Sequence, residues 1–272
     1  MILFPNCKIN LGLRVVRKRP DGYHDIETAM VPVRGLCDAL EILPDTKDGC
    51  LFSSSGLEID APAEKNLCVR AYELMKTRYG IGGVKMHLHK RIPFGAGLGG
   101  GSSDAVFALK MLADAFALDL PESELGLLAA ELGSDTVFFV QNRPVLARGR
   151  GEVLAPIGMD LERYHGIIVK PPFGVSTAEA YAGVVPAQPD RPLTDVLSGG
   201  VHTWKGELKN DFEPSVFRRY PEIAAIKRQL YDCGAVYASM SGSGSAVFGL
   251  FDGEPEPTQF PDNYFVYSGH ML

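Results

Sequence analysis

The sequence contains no apolar run near the roughly 18 residues that a membrane-spanning helix requires. Basic residues are in deficit: 27 Lys and Arg stand against 33 Asp and Glu, a formal net charge of −6. That balance argues against a broad nucleic-acid or membrane surface, because neither attracts an acidic partner. A small anion remains admissible, since a few well-placed amides hold one locally. There is no Cys-x-x-Cys pair, and the five cysteines (Cys7, Cys37, Cys50, Cys68, Cys233) are odd in number. Reduced thiols in a cytoplasmic protein are therefore expected, rather than disulfides or a cysteine metal site. The opening "MILFPNCKINLGL" reaches Lys8 after too short an apolar run for a signal sequence. No repeat and no low-complexity segment occurs. At 272 residues and 46% hydrophobic, the chain can bury one large core or two modest ones.

Glycine, by contrast, is concentrated. "RIPFGAGLGGGSSDAVFALKML", Arg91 to Leu112, places five glycines in seven positions and then turns strongly helical. Strand, glycine loop and helix together aim exposed amides and a helix N-terminus at an anion. The helix after the loop is expected from about Ser103 to Phe116, with Ser102 and Ser103 able to cap it and to offer hydroxyls to a phosphate. Gly95, Gly97 and Gly100 formally satisfy G-x-G-x-x-G. The dinucleotide reading nevertheless fails, because "FALDLPESELG" runs from one helix into another instead of into a strand ending in an acid. The Walker reading fails because the loop holds no lysine.

Elsewhere, "CKINLGLRV" alternates with period two, so Cys7, Ile9, Leu11, Leu13 and Val15 share one face of a strand and Lys8 and Asn10 the other. "RPDGYH" is a turn that leads into Tyr23 and His24. "DALEIL", Leu51–Phe52 and "VKMHLHK" read as strands. Asn66 and Gly80 bracket one helix, and Pro121 and Gly133 another. Beyond Pro156 come an apolar strand, a Pro-rich loop with a short helix, and the exposed turn-rich "PAQPDRPLTDVLSGG". A helix at "PEIAAIKRQLYDCGA" and two strands around the small-residue loop of "VYASMSGSGSAVFGLF" complete the pass. Strands lead into helices without a βαβ rhythm, which predicts α+β in two halves, 1–155 and 156–272.

Single residues leave alternatives open. Asp135 in "ELGSDTVFF" suits a proton acceptor or a simple cap for the apolar run after it. Lys8 suits a catalytic cation or a solvated strand lysine. Tyr23 and Tyr181 suit a stacking pair or amphipathic core-edge residues. His87 and His89 share a strand face, but with no third ligand apparent they read as solvated histidines and no metal site is expected.

The run Pro93-Phe94-Gly95-Ala96-Gly97-Leu98-Gly99-Gly100-Gly101-Ser102-Ser103 resembles the phosphate loop of the GHMP kinases. "SMSGSGSAVFGLF" is similar to that superfamily's second glycine motif. With "KINLGLRVVRKRPDGYHDIETAM" the resemblance spans nearly the whole chain, at residues 8–30, 91–105, 133–139, 171–181, 210–214 and 239–251. It implies an α+β, two-domain kinase with its active site in the cleft between domains, using ATP and the Mg²⁺ that arrives with it. It implies a small alcohol substrate carrying a cytidine diphosphate group, on the non-mevalonate isoprenoid route. No nucleic acid or membrane partner is implied, and the chain is read as a monomer or weak homodimer in the cytoplasm. Asp135 would then be the general base and Lys8 the cation, with Pro93 to Ser103 on the nucleotide. Asn10 and Thr177 would bind substrate, Tyr23 and Tyr181 would sandwich the cytosine, and His24 would read its edge. The chain departs from the family at Thr136-Val137, where Val-Pro is usual, and at Cys7, where alanine is usual.

Overall fold

The computed structural model describes residues 1–59, 62–133, 135–256 and 259–271. In chain order the strands are β1 Ile2–Leu3, β2 Asn6–Lys18, β3 His24–Cys37, β4 Ala39–Asp45, β5 Cys50–Gly56, β6 Gly83–Lys90, β7 Val145–Gly149, β8 Val153–Pro156, β9 His165–Lys170, β10 Tyr237–Met240, β11 Val247–Phe251 and β12 Phe265–His270. The helices are α1 Leu67–Tyr79, α2 Gly100–Ala115, α3 Glu122–Leu132, α4 Phe138–Gln141, α5 Thr177–Ala182, α6 Leu193–Leu197, α7 Glu213–Arg219 and α8 Pro221–Asp232. They assemble into two compact units that share the chain by turns. One holds Met1–Cys7, Leu36–Pro93 and Gly99–Arg143; the other holds Lys8–Gly35, Phe94–Leu98 and Pro144–Leu272.

The first unit is a sheet of order β1-β4-β6-β5, antiparallel except for the parallel β5–β6 pair, with α2 packed on β4 and on α1, α3 and α4. Period two sets the sheet's inner face: Leu40, Ile42, Val84, Met86 and Leu88 are all buried. Asn66 caps α1 by accepting from the Cys68 amide at 2.9 Å, and Gly80 ends it in the left-handed region at φ 63°. Burying a side chain such as Leu109 or Leu112 of α2 contributes about 2 kcal/mol. Helix α2 begins at Gly100, three residues ahead of the sequence expectation, because Gly99 (φ 70°) turns the chain in and no side chain caps it. Ser102 and Ser103 therefore lie inside the first turn and do not cap it.

The second unit contains two four-stranded sheets, β2-β3-β7-β8 and β10-β11-β9-β12, the latter covered by α8. Leu13 and Val15 of β2, Ile167 and Val169 of β9, Val216 of α7, Ile223, Ile226 and Leu230 of α8, and Met240 and Val247 meet in one core. Strand β2 is buried on both faces, so its polar residues Lys8 and Asn10 are as enclosed as Ile9 and Leu11. The turn-rich segment after Pro186 is not wholly exposed: it forms α6, whose Leu193 and Val196 are buried. Strand β3 escaped the alternation test because Ala29, Met30, Val31 and Val33 form a near-continuous apolar run, buried on both sides.

Candidate active site

The two glycine motifs of the sequence meet within the second unit. Gly97 sits at φ 71°, and a Cβ there would lie 1.9 Å from the Ser241 carbonyl oxygen, so only glycine fits. The Ser241 hydroxyl donates to the Gly97 carbonyl at 2.9 Å, and the Ser245 and Ala246 amides donate to the Gly95 and Ala96 carbonyls at 3.2 Å. The residues that hold the second motif in shape carry no role in the sequence reading. Asn210 donates to the carbonyls of Met240 and Gly242, both at 2.8 Å. Glu213 accepts from the Met240 amide at 2.9 Å and the Ser239 hydroxyl at 3.1 Å, and Lys227 neutralises its other oxygen. The only hint in the chain was the stretch 210–214, whose function no spacing rule specifies.

Lys8 enters this arrangement from β2. Its Nζ donates to the Gly97 carbonyl at 2.8 Å and to Asn10 Oδ1 at 2.5 Å, while the Lys8 amide donates to the Leu98 carbonyl at 2.9 Å. Asn10 Nδ2 donates in turn to Thr28 Oγ1 at 3.2 Å. A buried ammonium held by two oxygens is a fixed cation beside the glycine loop, not a solvated strand lysine.

The loop's remaining part belongs to the first unit. Among the described residues outside its own helix turn, the atom nearest to a Cβ position on Gly101 is Leu67 Cδ1 at 3.8 Å. Ser103 is fully buried and its hydroxyl has no partner among the described residues, whereas a buried hydroxyl is normally satisfied. Loop glycines, a 16-residue helix that starts at Gly100 without a side-chain cap, and an unmatched hydroxyl are a donor set suited to a polyphosphate.

Asp135 lies just beyond the end of α3, half-buried, and Ser134 of the same motif lies outside the described residues. Next to it, Thr136 is buried and its hydroxyl, with one proton to donate, lies within hydrogen-bond reach of the carbonyls of Ala129 (2.5 Å) and Gly133. This departure from the family's valine closes the α3 terminus with a side-chain bond, fixing the backbone on which Asp135 stands.

The aromatic group lies in the second unit. Asp21 shapes the turn by accepting from the Tyr23 amide at 3.1 Å, and the Tyr23 carbonyl accepts from the Arg19 amide at 2.8 Å. Arg17 and Arg19 flank Asp25 and hold its carboxyl below the usual range. The rings that come together are His24 and Tyr181, stacked at 4.7 Å and 18°, with Phe212 edge-on to Tyr181 at 4.8 Å. Tyr23 is instead 58% exposed, with the Arg150 guanidinium 5.1 Å from its ring centroid. Thr177 is exposed at the start of α5, whose N-cap is Ser176. His87 and His89 are engaged by Ser53 and Ser55 at 2.8–3.0 Å. Among the described residues no three His, Cys, Asp or Glu side chains gather to hold a metal, and no helix is long and apolar enough to cross a membrane.

Known proteins agree with this architecture. Residues 66–143 match the GHMP kinases N terminal domain and residues 197–263 the GHMP kinases C terminal. The chain is 50% identical, over all of both chains, to the 4-diphosphocytidyl-2-C-methyl-D-erythritol kinase of Parabacteroides distasonis. A crystal structure of a 4-(cytidine 5'-diphospho)-2C-methyl-D-erythritol kinase superposes with a TM-score of 0.82 at 34% identity, covering 99% of this chain and 98% of that one. The homoserine kinase of Cytophaga hutchinsonii shares the fold, with a TM-score of 0.67 at 18% identity over 98% and 95% of the chains. The chain belongs to the GHMP kinase family, and within it to the relatives named 4-diphosphocytidyl-2-C-methyl-D-erythritol kinase.

Proposed function

We propose that this chain transfers the γ-phosphoryl group of ATP to the 2-hydroxyl of 4-diphosphocytidyl-2-C-methyl-D-erythritol, a step of the non-mevalonate isoprenoid route in the cytoplasm. The observation that carries the reading is the buried Lys8 ammonium, fixed by Gly97 and Asn10 at the glycine loop. Phosphoryl transfer asks little covalent chemistry of the protein; it asks for positioning and for charge in the right place. In this reading the amides between Gly95 and Ser103 hold the triphosphate, and the ATP brings Mg²⁺ with most of its waters. Lys8 offsets the charge that develops as the alcohol ionises, and Asp135 accepts the alcohol's proton. Asn10 holds Lys8 in place and faces the substrate.

The cytidine end is assigned to Tyr23, His24, Tyr181 and Thr177. The stacked His24 and Tyr181 supply a flat aromatic wall against which a pyrimidine can lie. Tyr23 with Arg150 over its ring supplies a second flat surface of mixed aromatic and cationic character. A functional division near residue 155, with Lys8, Asp135 and the phosphate loop before it, forms part of the same proposal.

The test is ADP release with three alcohols supplied separately: the cytidine diphospho-methylerythritol, homoserine and mevalonate. Turnover confined to the first supports the proposal. Turnover with either of the others keeps the kinase and removes the substrate assignment.

A further inference from the structure

Beneath the helical half of the phosphate loop lie three buried charges that the reaction does not use. Lys90 ends β6, Asp38 stands between β3 and β4, and Asp104 lies in the first turns of α2. Their side chains are 1%, 0% and 3% exposed. Lys90 Nζ donates to Asp104 Oδ2 at 2.7 Å and to Asp38 Oδ2. The other oxygen of Asp38 accepts from the amides of Arg91 (2.6 Å) and Ile92 (2.8 Å), the residues that lead into the loop. A Cβ on Gly100 would stand 3.0 Å from Lys90 Nζ, so the first residue of α2 rests directly on this ammonium.

We infer that Lys90, Asp38 and Asp104 are positioning residues for the phosphate loop, tying its entry at Arg91–Ile92 to its exit at Gly100–Asp104 through one buried ammonium. Surface pairs cannot do this, because they are screened and contribute little. A buried ion network whose ammonium bonds both carboxylates holds its members to one geometry, and its rupture leaves an uncompensated buried charge. The inference rests on the reading of Gly95–Ser103 as the ATP-phosphate site.

The charges do not balance: two carboxylates face one ammonium. Asp104 Oδ1 has no partner among the described residues. Burial, reinforced by the neighbouring Asp38 charge, pushes Asp104 up to about 8 in spite of Lys90. Burial works against the Lys90 charge, and the two carboxylates outweigh it, so the ammonium stays protonated. The other ionisable groups facing the cluster are Cys68 of α1, whose thiol burial pushes well up, and Cys37 with Arg91 beside Asp38. At neutral pH the cluster thus carries a proton and no net charge. Above pH 8 it becomes negative directly under the amides that must attract a triphosphate.

Two variants test this, with the Michaelis constants for ATP and for the alcohol measured from pH 6.5 to 9.5. In wild type the KM for ATP rises through about pH 8 while that for the alcohol is steady. Asp104→Asn, which keeps the shape and cannot ionise, abolishes the alkaline rise. Asp104→Ala, which loosens the loop, raises the KM for ATP roughly tenfold at pH 7 and leaves that for the alcohol in place. An Asp104→Asn enzyme whose KM for ATP climbs as the wild type's does overturns the inference, whether or not Asp104→Ala folds. A wild-type protein that binds no ATP in calorimetry instead removes the underlying reading.

Discussion

Lys8 Nζ and the carbonyl oxygen of Gly97 are 2.8 Å apart, which joins strand β2 to the middle of the glycine loop. The lysine is thereby an element of the loop's own structure as well as a cation held against it. Replacing it with methionine keeps the stem and removes the charge. Lys8→Met is expected to lower kcat by about 10²–10³, the usual effect of losing one preorganised charge-stabilising group. Lys8→Arg recovers little, since a planar guanidinium cannot meet both Asn10 Oδ1 and Gly97 O as a compact ammonium does. Steady-state kinetics on the two variants check this.

Gly97→Ala tests the loop itself. Its Cβ would penetrate the Ser241 carbonyl at 1.9 Å on a backbone with φ 71°, so the two motifs must separate or strain. A left-handed non-glycine residue alone costs of the order of 1–3 kcal/mol. Thermal unfolding should show a lowered midpoint, and nucleotide binding should be lost in calorimetry.

The wall made by His24 and Tyr181 predicts a selective defect. Tyr181→Ala removes the ring on which His24 stacks, and stacking of a base on an aromatic is worth about 1–3 kcal/mol. The KM for the cytidine substrate should rise about tenfold or more while that for ATP stays near wild type. A parallel rise in both would show that the pair only supports the fold.

Thr136→Val restores the residue usual in the family at nearly constant volume. It deletes the hydroxyl that closes α3 on the Ala129 and Gly133 carbonyls. A loss of roughly 1 kcal/mol is expected in denaturant unfolding, from one net hydrogen bond.

The buried Asp104 gives stability a definite slope with pH. Its folded-state value is about 8 against an ordinary 3.8, so between these values the folded chain holds a proton that the unfolded chain has lost. Stability contributed this way falls as pH rises from about 4 to about 8 and is level above. Urea unfolding at pH 5, 6.5 and 8 should show that decline in wild type and a shallower one in Asp104→Asn.

Much of this was legible in the chain because it rests on local rules. Asn66 and Gly80 delimit α1 by capping chemistry, and alternation in "CKINLGLRV" and "VKMHLHK" marks strands without any tertiary information. The glycine loop declared itself through backbone freedom placed ahead of an apolar helix. Three things stayed hidden for physical reasons. Strand β3 carries apolar residues on both faces, which erases the period on which strand recognition depends. The start of α2 was set by the left-handed Gly99 rather than by the serines that a capping rule prefers. The supports of the site, Asn210 with Met240 and Lys90 with Asp38 and Asp104, join residues 14 to 52 positions apart. No spacing rule couples such residues, and only the folded chain brings them together.

The most direct test of the account is ADP release with the cytidine diphospho-methylerythritol substrate, comparing wild type with Asp135→Asn while nucleotide binding is monitored by calorimetry. The account predicts turnover in wild type and a fall of at least about 10² in the variant, with ATP still bound. A variant that turns over as fast as wild type would contradict the assignment of Asp135 as the base. A wild type that binds ATP and leaves this alcohol unphosphorylated would contradict the proposed function itself.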